Sequence, residues 1–170
     1  LVGSSGSGKS TLLKTINRLV EPSAGRVLVA GAPVDEAERH ALRRRIGYIF
    51  QNIGLFPHFT VAENIAIGLR LLAVKHNRDR IDELLDLVDL PRDFATRFPD
   101  ALSGGQRQRV GVARALATEP GLLIMDEPFG ALDPVTRDQW GKAIRHLHDR
   151  LGLTTIMVTH DMAEALLLAD

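Results

Sequence analysis

Residues 3–11 read "GSSGSGKST", which satisfies the pattern G-x-x-x-x-G-K-[ST]. Gly3, Gly6 and Gly8, with the small residues Ser4, Ser5 and Ser7 between them, let successive backbone N–H groups turn inward around a phosphate. Lys9 would then reach the β and γ phosphates of a nucleotide, and Ser10, followed by Thr11, would place a hydroxyl on Mg²⁺. "TLLKTINRLV" (11–20) has apolar residues at helical spacing, so a helix presents its positive N-terminal end to the same anion. A flexible serine–glycine turn would need neither the lysine nor the helix. A phosphate loop also needs a full strand leading into it. Leu1-Val2 is only the stub of one, so the chain is expected to be a fragment whose upstream sequence is missing.

Beyond this loop, "RVLVAGAPV" (26–34) alternates and breaks at Gly31, which predicts an antiparallel hairpin. "RIGYIF" (45–50) is a short buried strand, and "LLIMD" (122–126) and "TTIMVTH" (154–160) are apolar runs of the kind buried on both faces of a parallel sheet. Between the second and third of these the character changes. "TVAENIAIGLRLL" (60–72) opens with Thr60 and Glu63 at capping-box spacing, and "RDRIDELLDLVDL" (78–90) is amphipathic and stopped by Pro91. "QRQRVGVARALATE" (106–119) is a further helix, ended by Pro120-Gly121. The expectation is an α/β fold with one domain over 1–170, carrying an inserted helical subdomain at about 52–115.

Bulk properties narrow the function. Twenty-one basic and 21 acidic residues give zero formal charge, which argues against nucleic acid as the main partner. The basic run "RHALRRR" (39–45) follows Asp35, Glu36 and Glu38 and reads as a solvated helix face. There is no cysteine, so thiol nucleophiles and cysteine metal sites are excluded. No apolar run approaches the roughly 20 residues that span a bilayer.

In open parallel sheets, ligands bind beyond the carboxyl ends of the strands. Four such ends here run into Gly3 and its loop, Gln51, the pair Asp126-Glu127, and His160. Asp126 would hold Mg²⁺ directly or through water, and Glu127 would polarise an attacking water. Gln51 reads either as a polar strand-end residue or as an amide facing Mg²⁺ or that water. His160 reads either as a surface residue ahead of an Asp161–Glu164 capping box or as a partner of the γ-phosphate. A second glycine-rich stretch, "LSGGQ" (102–106), has no lysine. Ser103 and Gln106 form a capping box, and the helix they start offers unhindered N–H groups to an anion that is not the one on the first loop.

These residues together resemble the nucleotide-binding domain of ATP-binding cassette (ABC) transporters, over essentially the whole chain and in the family's motif order. Residues 3–11 resemble the Walker A loop, Gln51 the Q-loop glutamine, Ser103, Gly104, Gly105 and Gln106 the signature motif, and "LLIMDE" (122–127) Walker B with Glu127 catalytic. "ALD" ending at Asp133 resembles the D-loop, and His160 the switch histidine. The resemblance implies ATP and Mg²⁺ as cofactors and a P-loop NTPase fold lacking its N-terminal strands and C-terminal end. It also implies a head-to-tail dimer in which "LSGGQ" caps the γ-phosphate of ATP bound to the partner's Walker A loop. The family's adenine-stacking aromatic would lie upstream, and Arg107 and Trp140 are not the residues most expected at their positions.

A narrower likeness, over "IGYIFQNIGLFPHFTVAENIA" (46–66) and "DEPFGALDPVTRDQ" (126–139), is to ATPase subunits of bacterial quaternary-amine importers. Such a subunit would sit on the cytoplasmic face of the membrane, bound to permease subunits and served indirectly by a solute-binding protein. In that family the transmembrane coupling helix docks at "IGLFPH" (53–58); Phe56 and Phe59 would otherwise need burial in the core. The alternatives are an importer of amino acids or other small solutes, a soluble ABC-type ATPase acting on DNA or ribosomes, and a P-loop kinase or GTPase. The last two are disfavoured: only about fifty residues, without sustained heptads, separate Gln51 from Ser103, and no N-K-x-D occurs.

Overall fold

The computed structural model describes residues 1–75, 78–130 and 132–170. The glycine loop leads into α1 (Lys9–Ile16), and β1 (Leu28–Val29) and β2 (Ala32–Pro33) form the predicted antiparallel hairpin. Its two turn residues, Ala30 and Gly31, both have positive φ (50° and 78°), the backbone that matches the right-handed twist of the strands. α2 (Arg39–Arg44) carries the basic run and is capped by Glu38, which accepts from the His40 and Ala41 amides. Arg39, Arg44 and Arg45 are exposed as expected. Arg43 is half-buried and donates to the carbonyls of Asn17 and Arg18, tying α2 to the end of α1.

β3 (Ile46–Ile49), β4 (Leu122–Asp126) and β5 (Thr154–Val158) make a parallel sheet in the order β3-β4-β5. Val2 continues it beyond β5 through a parallel bridge to Thr159, so the stub does pair as the strand feeding the loop. All of β4 is buried, as its unbroken apolar run predicts. β5 departs from that expectation: most of it is half-buried and Thr154 is exposed. Its outer neighbour among the described residues is the short Leu1-Val2 segment, which covers little of it.

Alternation along the strands separates two cores. Ile46, Leu122, Ile124 and Val158 pack with Leu13 of α1 and with Val34 and Leu42. Ile49, Leu123 and Met125 pack on the other face with α3 (Val61–Leu71), α4 (Arg78–Leu87), α5 (Gly104–Leu116) and α6 (Pro134–Leu151). Thus α1 and α5, the helices behind the two glycine-rich stretches, lie on opposite faces of the sheet. Short 3-10 turns (Arg92–Thr96 and Pro99–Ala101) join α4 to α5, and α7 (Met162–Leu168) follows β5. Fully buried side chains such as Ile65, Leu85 and Val110 each contribute about 1.5–3 kcal/mol on leaving water.

The capping box of α3 forms as read: the Thr60 hydroxyl accepts from the Glu63 amide, and the Glu63 carboxylate accepts from the Thr60 amide and hydroxyl. Those hydrogen bonds hold the Glu63 carboxyl below its ordinary pKa. A depressed folded-state pKa contributes stability above the unfolded value, about 4.3, that is lost as pH falls through the folded value. Glu63→Ala is therefore expected to lower the melting temperature at pH 7. The difference should shrink steadily as pH falls below the carboxylate range, and an unchanged gap at acid pH would contradict this assignment.

Candidate active site

The loop is built by Gly6 and Gly8, whose φ values of 79° and 88° are open to glycine and strained for other residues. Gly8 is also the N-cap of α1 and supplies no side chain to its first amides, which stay open to an anion. Lys9 folds back into the loop. Its Nζ donates to the carbonyls of Gly3 (2.8 Å) and Ser4 (2.7 Å) and lies 3.4 Å from Ser7 Oγ. The ammonium is thus held by the oxygens of the loop itself.

Ser10 Oγ donates to Asp126 Oδ1 at 2.8 Å. This contact follows from the strand phase: Asp126 is in step with Leu122 and Ile124 and so faces α1. A hydroxyl beside a buried carboxylate is an all-oxygen pair, suited to a small hard cation that keeps several waters and takes its other ligands from phosphates. Among the described residues there is no cluster of three or more acidic or histidine side chains that could hold a metal by protein alone.

Of the remaining strand-end residues, Gln51 and His160 converge on one oxygen of Glu127. Gln51 Nε2 donates to Glu127 Oε2 at 3.1 Å, and His160 Nδ1 lies 3.5 Å from the same atom. Gln51 therefore touches the carboxylate read as the general base, while Ser10 and Asp126 pair with each other. Glu127 has φ 47°, the left-handed region, at a cost of roughly 1–2 kcal/mol. Its amide donates to Val158 O, which continues the β4–β5 ladder and holds that backbone in place. His160 does precede a capped helix, since Asp161 accepts from the Ala163 and Glu164 amides. The expected capping box is only half made, because the Glu164 carboxylate turns to Thr159 Oγ1.

"LSGGQ" forms its capping box in full: Ser103 Oγ accepts from the Gln106 amide, and Gln106 Oε1 accepts from the Ser103 amide. A Cβ built on Gly104 meets nothing within 4 Å, so the fold itself makes no demand for glycine there. Arg107 donates to Leu102 O (2.9 Å), which braces the stretch, and buried Trp140 lies under the Arg109 guanidinium. Asp133 caps α6 by accepting from the Thr136 amide at 3.1 Å; Ala131 of the "ALD" stretch lies outside the described residues.

Two neighbours of the site have no motif to announce them. Tyr48 lies on β3 opposite Ile124, on the same sheet face as Asp126. Its hydroxyl is buried outside direct hydrogen-bond geometry, and burial together with the Asp126 charge pushes its pKa up to about 12. Strand alternation would have found it once the β3–β4 register was known. Arg114, near the end of α5, donates to Ile53 O and Gly54 O just beyond Gln51. Desolvation lowers its pKa, yet its two carbonyl acceptors hold the loop to the helix that begins with "LSGGQ".

A single parallel sheet with a glycine loop, a Ser–Asp pair and a Gln–Glu–His cluster at its carboxyl ends defines a P-loop nucleotide-binding domain. The ABC transporter family model matches residues 1–130, and the chain belongs to that family. It is 51% identical over 99% of its length to the glycine betaine/carnitine/choline transport ATP-binding protein OpuCA of Bacillus subtilis (strain 168), covering 45% of that protein. It is 54% identical over its whole length to the glycine betaine uptake system ATP-binding protein YehX of Escherichia coli (strain K12), covering 56% of it. Identity to the sulfate/thiosulfate import ATP-binding protein CysA of Caulobacter vibrioides is 51%, over the whole chain and 51% of that protein. The chain spans about half the length of the curated relatives it matches. Among solved structures, cbiO1 from Clostridium perfringens, part of the ABC transporter complex cbiONQ, superposes with TM-score 0.87 at 32% identity, over 99% of this chain and 69% of that one. The dimeric post-hydrolysis state of the cassette MJ0796 bound to ADP and Pi superposes with TM-score 0.83 at 35% identity, over 98% of this chain and 75% of that one.

Proposed function

We propose that this chain binds ATP with Mg²⁺ and that the protein carrying it hydrolyses ATP to drive a membrane importer. The observation that carries this reading is the convergence of Gln51 and His160 on Glu127, beside the Ser10–Asp126 pair and Lys9. Gly3 to Thr11 would cradle the phosphates, Lys9 would neutralise charge developing on the β and γ groups, and Ser10 with Asp126 would hold the cation. Mg²⁺, when bound, would supply neutralisation of the phosphate charge. Glu127 would take a proton from the attacking water, with Gln51 and His160 orienting that water and the carboxylate.

Ser103, Gly104, Gly105 and Gln106, with Asp133, would serve the ATP of a second subunit in a head-to-tail pair. The opposite-face placement of α1 and α5 supports this, since one phosphate cannot sit on both helix ends of a single chain. Residues at about 52–115 would form the helical subdomain that carries "LSGGQ". Among the described residues no helix is long and apolar enough to cross a membrane. As in the import systems for which its relatives are named, a permease would form the path, with this subunit on its cytoplasmic face and a solute-binding protein delivering the cargo.

The permease contact is the loop after Gln51. Phe56 is 40% exposed, which core packing does not explain, and Phe59 is half-buried. Buried Asn64 fixes the loop: its Oδ1 accepts from the Phe56 amide, and its Nδ2 donates to the carbonyls of Phe56 and Phe59. Cysteines at Phe56, Pro57 and His58 in the full-length protein are expected to crosslink to a cytoplasmic loop of the co-purified permease. Failure at every position of an active complex would remove the assignment.

The substrates for which these relatives are named support a quaternary-amine osmoprotectant as cargo, and the sulfate/thiosulfate relative supports a small-anion importer as the second reading. Uptake of labelled glycine betaine and of labelled sulfate, with and without Glu127→Gln, separates them. The neutral net charge and the match to import subunits run against a nucleic-acid or ribosomal role.

A further inference from the structure

Arg137 joins two segments flanking the candidate site. It lies in the first turns of α6. Its Nη2 donates to Leu132 O at 3.2 Å, its Nη1 donates to Asp161 Oδ2 at 3.2 Å, and its Nε lies 3.5 Å from Glu164 Oε1. Leu132 immediately precedes Asp133, the cap of α6, whereas Asp161 immediately follows His160. Glu164 is buried, and its other oxygen accepts from Thr159 Oγ1. That hydroxyl oxygen accepts in turn from the Asp161 amide at 3.0 Å. The residues on both sides of His160 are thus held in one network whose cation is Arg137.

The His160 side chain is itself 60% exposed. Little side-chain packing holds it, so the position of the backbone that carries it governs whether the imidazole can reach Glu127. A guanidinium is a planar fork of five fixed donors; here it hydrogen-bonds one carbonyl and one carboxylate, while its Nε faces the Glu164 carboxylate at ion-pair rather than hydrogen-bond geometry. A lysine ammonium at the same place would reach some of these oxygens but not the whole set.

We propose that Arg137 is a positioning residue for His160. Through Asp161 and Glu164 it fixes the backbone that brings the imidazole to Glu127, and through Leu132 it ties that position to the segment entering α6. The inference rests on the hydrolytic reading of Glu127 and His160 given above.

The test uses the full-length protein. Arg137→Ala is expected to lower kcat about tenfold while leaving KM for ATP within about twofold, with Arg137→Lys intermediate. In a His160→Ala background the same Arg137→Ala change should cost less than about twofold, because its effect passes through the imidazole. In the nucleotide-free protein, the His160 Cε1–H NMR signal should move in Arg137→Ala while histidines remote from the network keep theirs. An unshifted His160 signal would overturn the proposal, as would the full tenfold loss recurring without His160. If Arg137→Ala does not fold, Arg137→Lys takes its place in both measurements, and an unshifted signal or a loss that persists without His160 overturns the proposal there too. Absence of hydrolysis by the unmodified protein would instead overturn the hydrolytic reading, which the NMR readout does not require.

Discussion

Lys9→Ala in the full-length protein is expected to lower ATP hydrolysis by about 10²- to 10³-fold, the usual cost of removing one donor aimed at developing charge. The ammonium already sits in the loop, between the Gly3 and Ser4 carbonyls and near Ser7 Oγ, so no rearrangement of α1 is needed to present it. Its loss removes the only side-chain cation within the stretch from Gly3 to Thr11. Nucleotide affinity should fall with the rate, because the same charge serves ground state and transition state. The melting temperature should change little, since the loop is largely exposed and the core residue of α1, Leu13, is untouched. Steady-state phosphate release, nucleotide titration and a melt together check this. Unchanged hydrolysis and affinity would remove the phosphate-loop assignment altogether.

Glu127→Gln should keep ATP bound while slowing hydrolysis by about 10²- to 10⁴-fold, the usual contribution of a general base. An ATP-dependent dimer should then accumulate and register in light scattering. Adding Gly104→Glu is expected to abolish that dimer. A carboxylate there would meet the partner's γ-phosphate with like charge. Gly104 suits the test because a Cβ at this position finds open space within its own chain and the Ser103–Gln106 capping box does not depend on it. Folding and binding of ATP to each chain's own loop should survive, with Lys9 and Ser10 intact. A double variant that still dimerises with ATP would reduce "LSGGQ" to a helix cap.

Motifs whose chemistry is local are legible in the amino-acid sequence alone. Glycine at positive φ, a lysine and a helix within nine residues specify a phosphate loop by short-range geometry alone. The capping boxes at Thr60–Glu63 and Ser103–Gln106 form as read for the same reason. The Asp161–Glu164 box did not complete, because Thr159 Oγ1 and Arg137 compete for the Glu164 carboxylate. No local pattern contains that competition. Strand β5 likewise proved less covered than its composition implies, since burial depends on which neighbour lies beside a strand.

The nucleotide-binding fold class, the order of the motifs and the strand-end positions of Gln51, Asp126, Glu127 and His160 follow from residue type, periodicity and spacing along the chain. Tertiary structure decided which of those residues meet. Ser10 and Asp126 lie 116 positions apart, a gap closed by the Val2–Thr159 bridge and the packing of α1 on β4 and β5; Gln51 and Glu127 lie 76 apart, a gap closed by the parallel pairing of β3 with β4. The same sheet sets α1 and α5 on opposite faces, and the fold brings Tyr48 beside Asp126 and Arg114 and Arg137 onto the segments that flank the site, contacts that the spacing of these residues along the chain does not announce. The physical reason is range: torsions, caps and hydrophobic period act within a turn or a strand. A side chain's partners across a sheet are set by register and packing, which the whole chain must fold to establish.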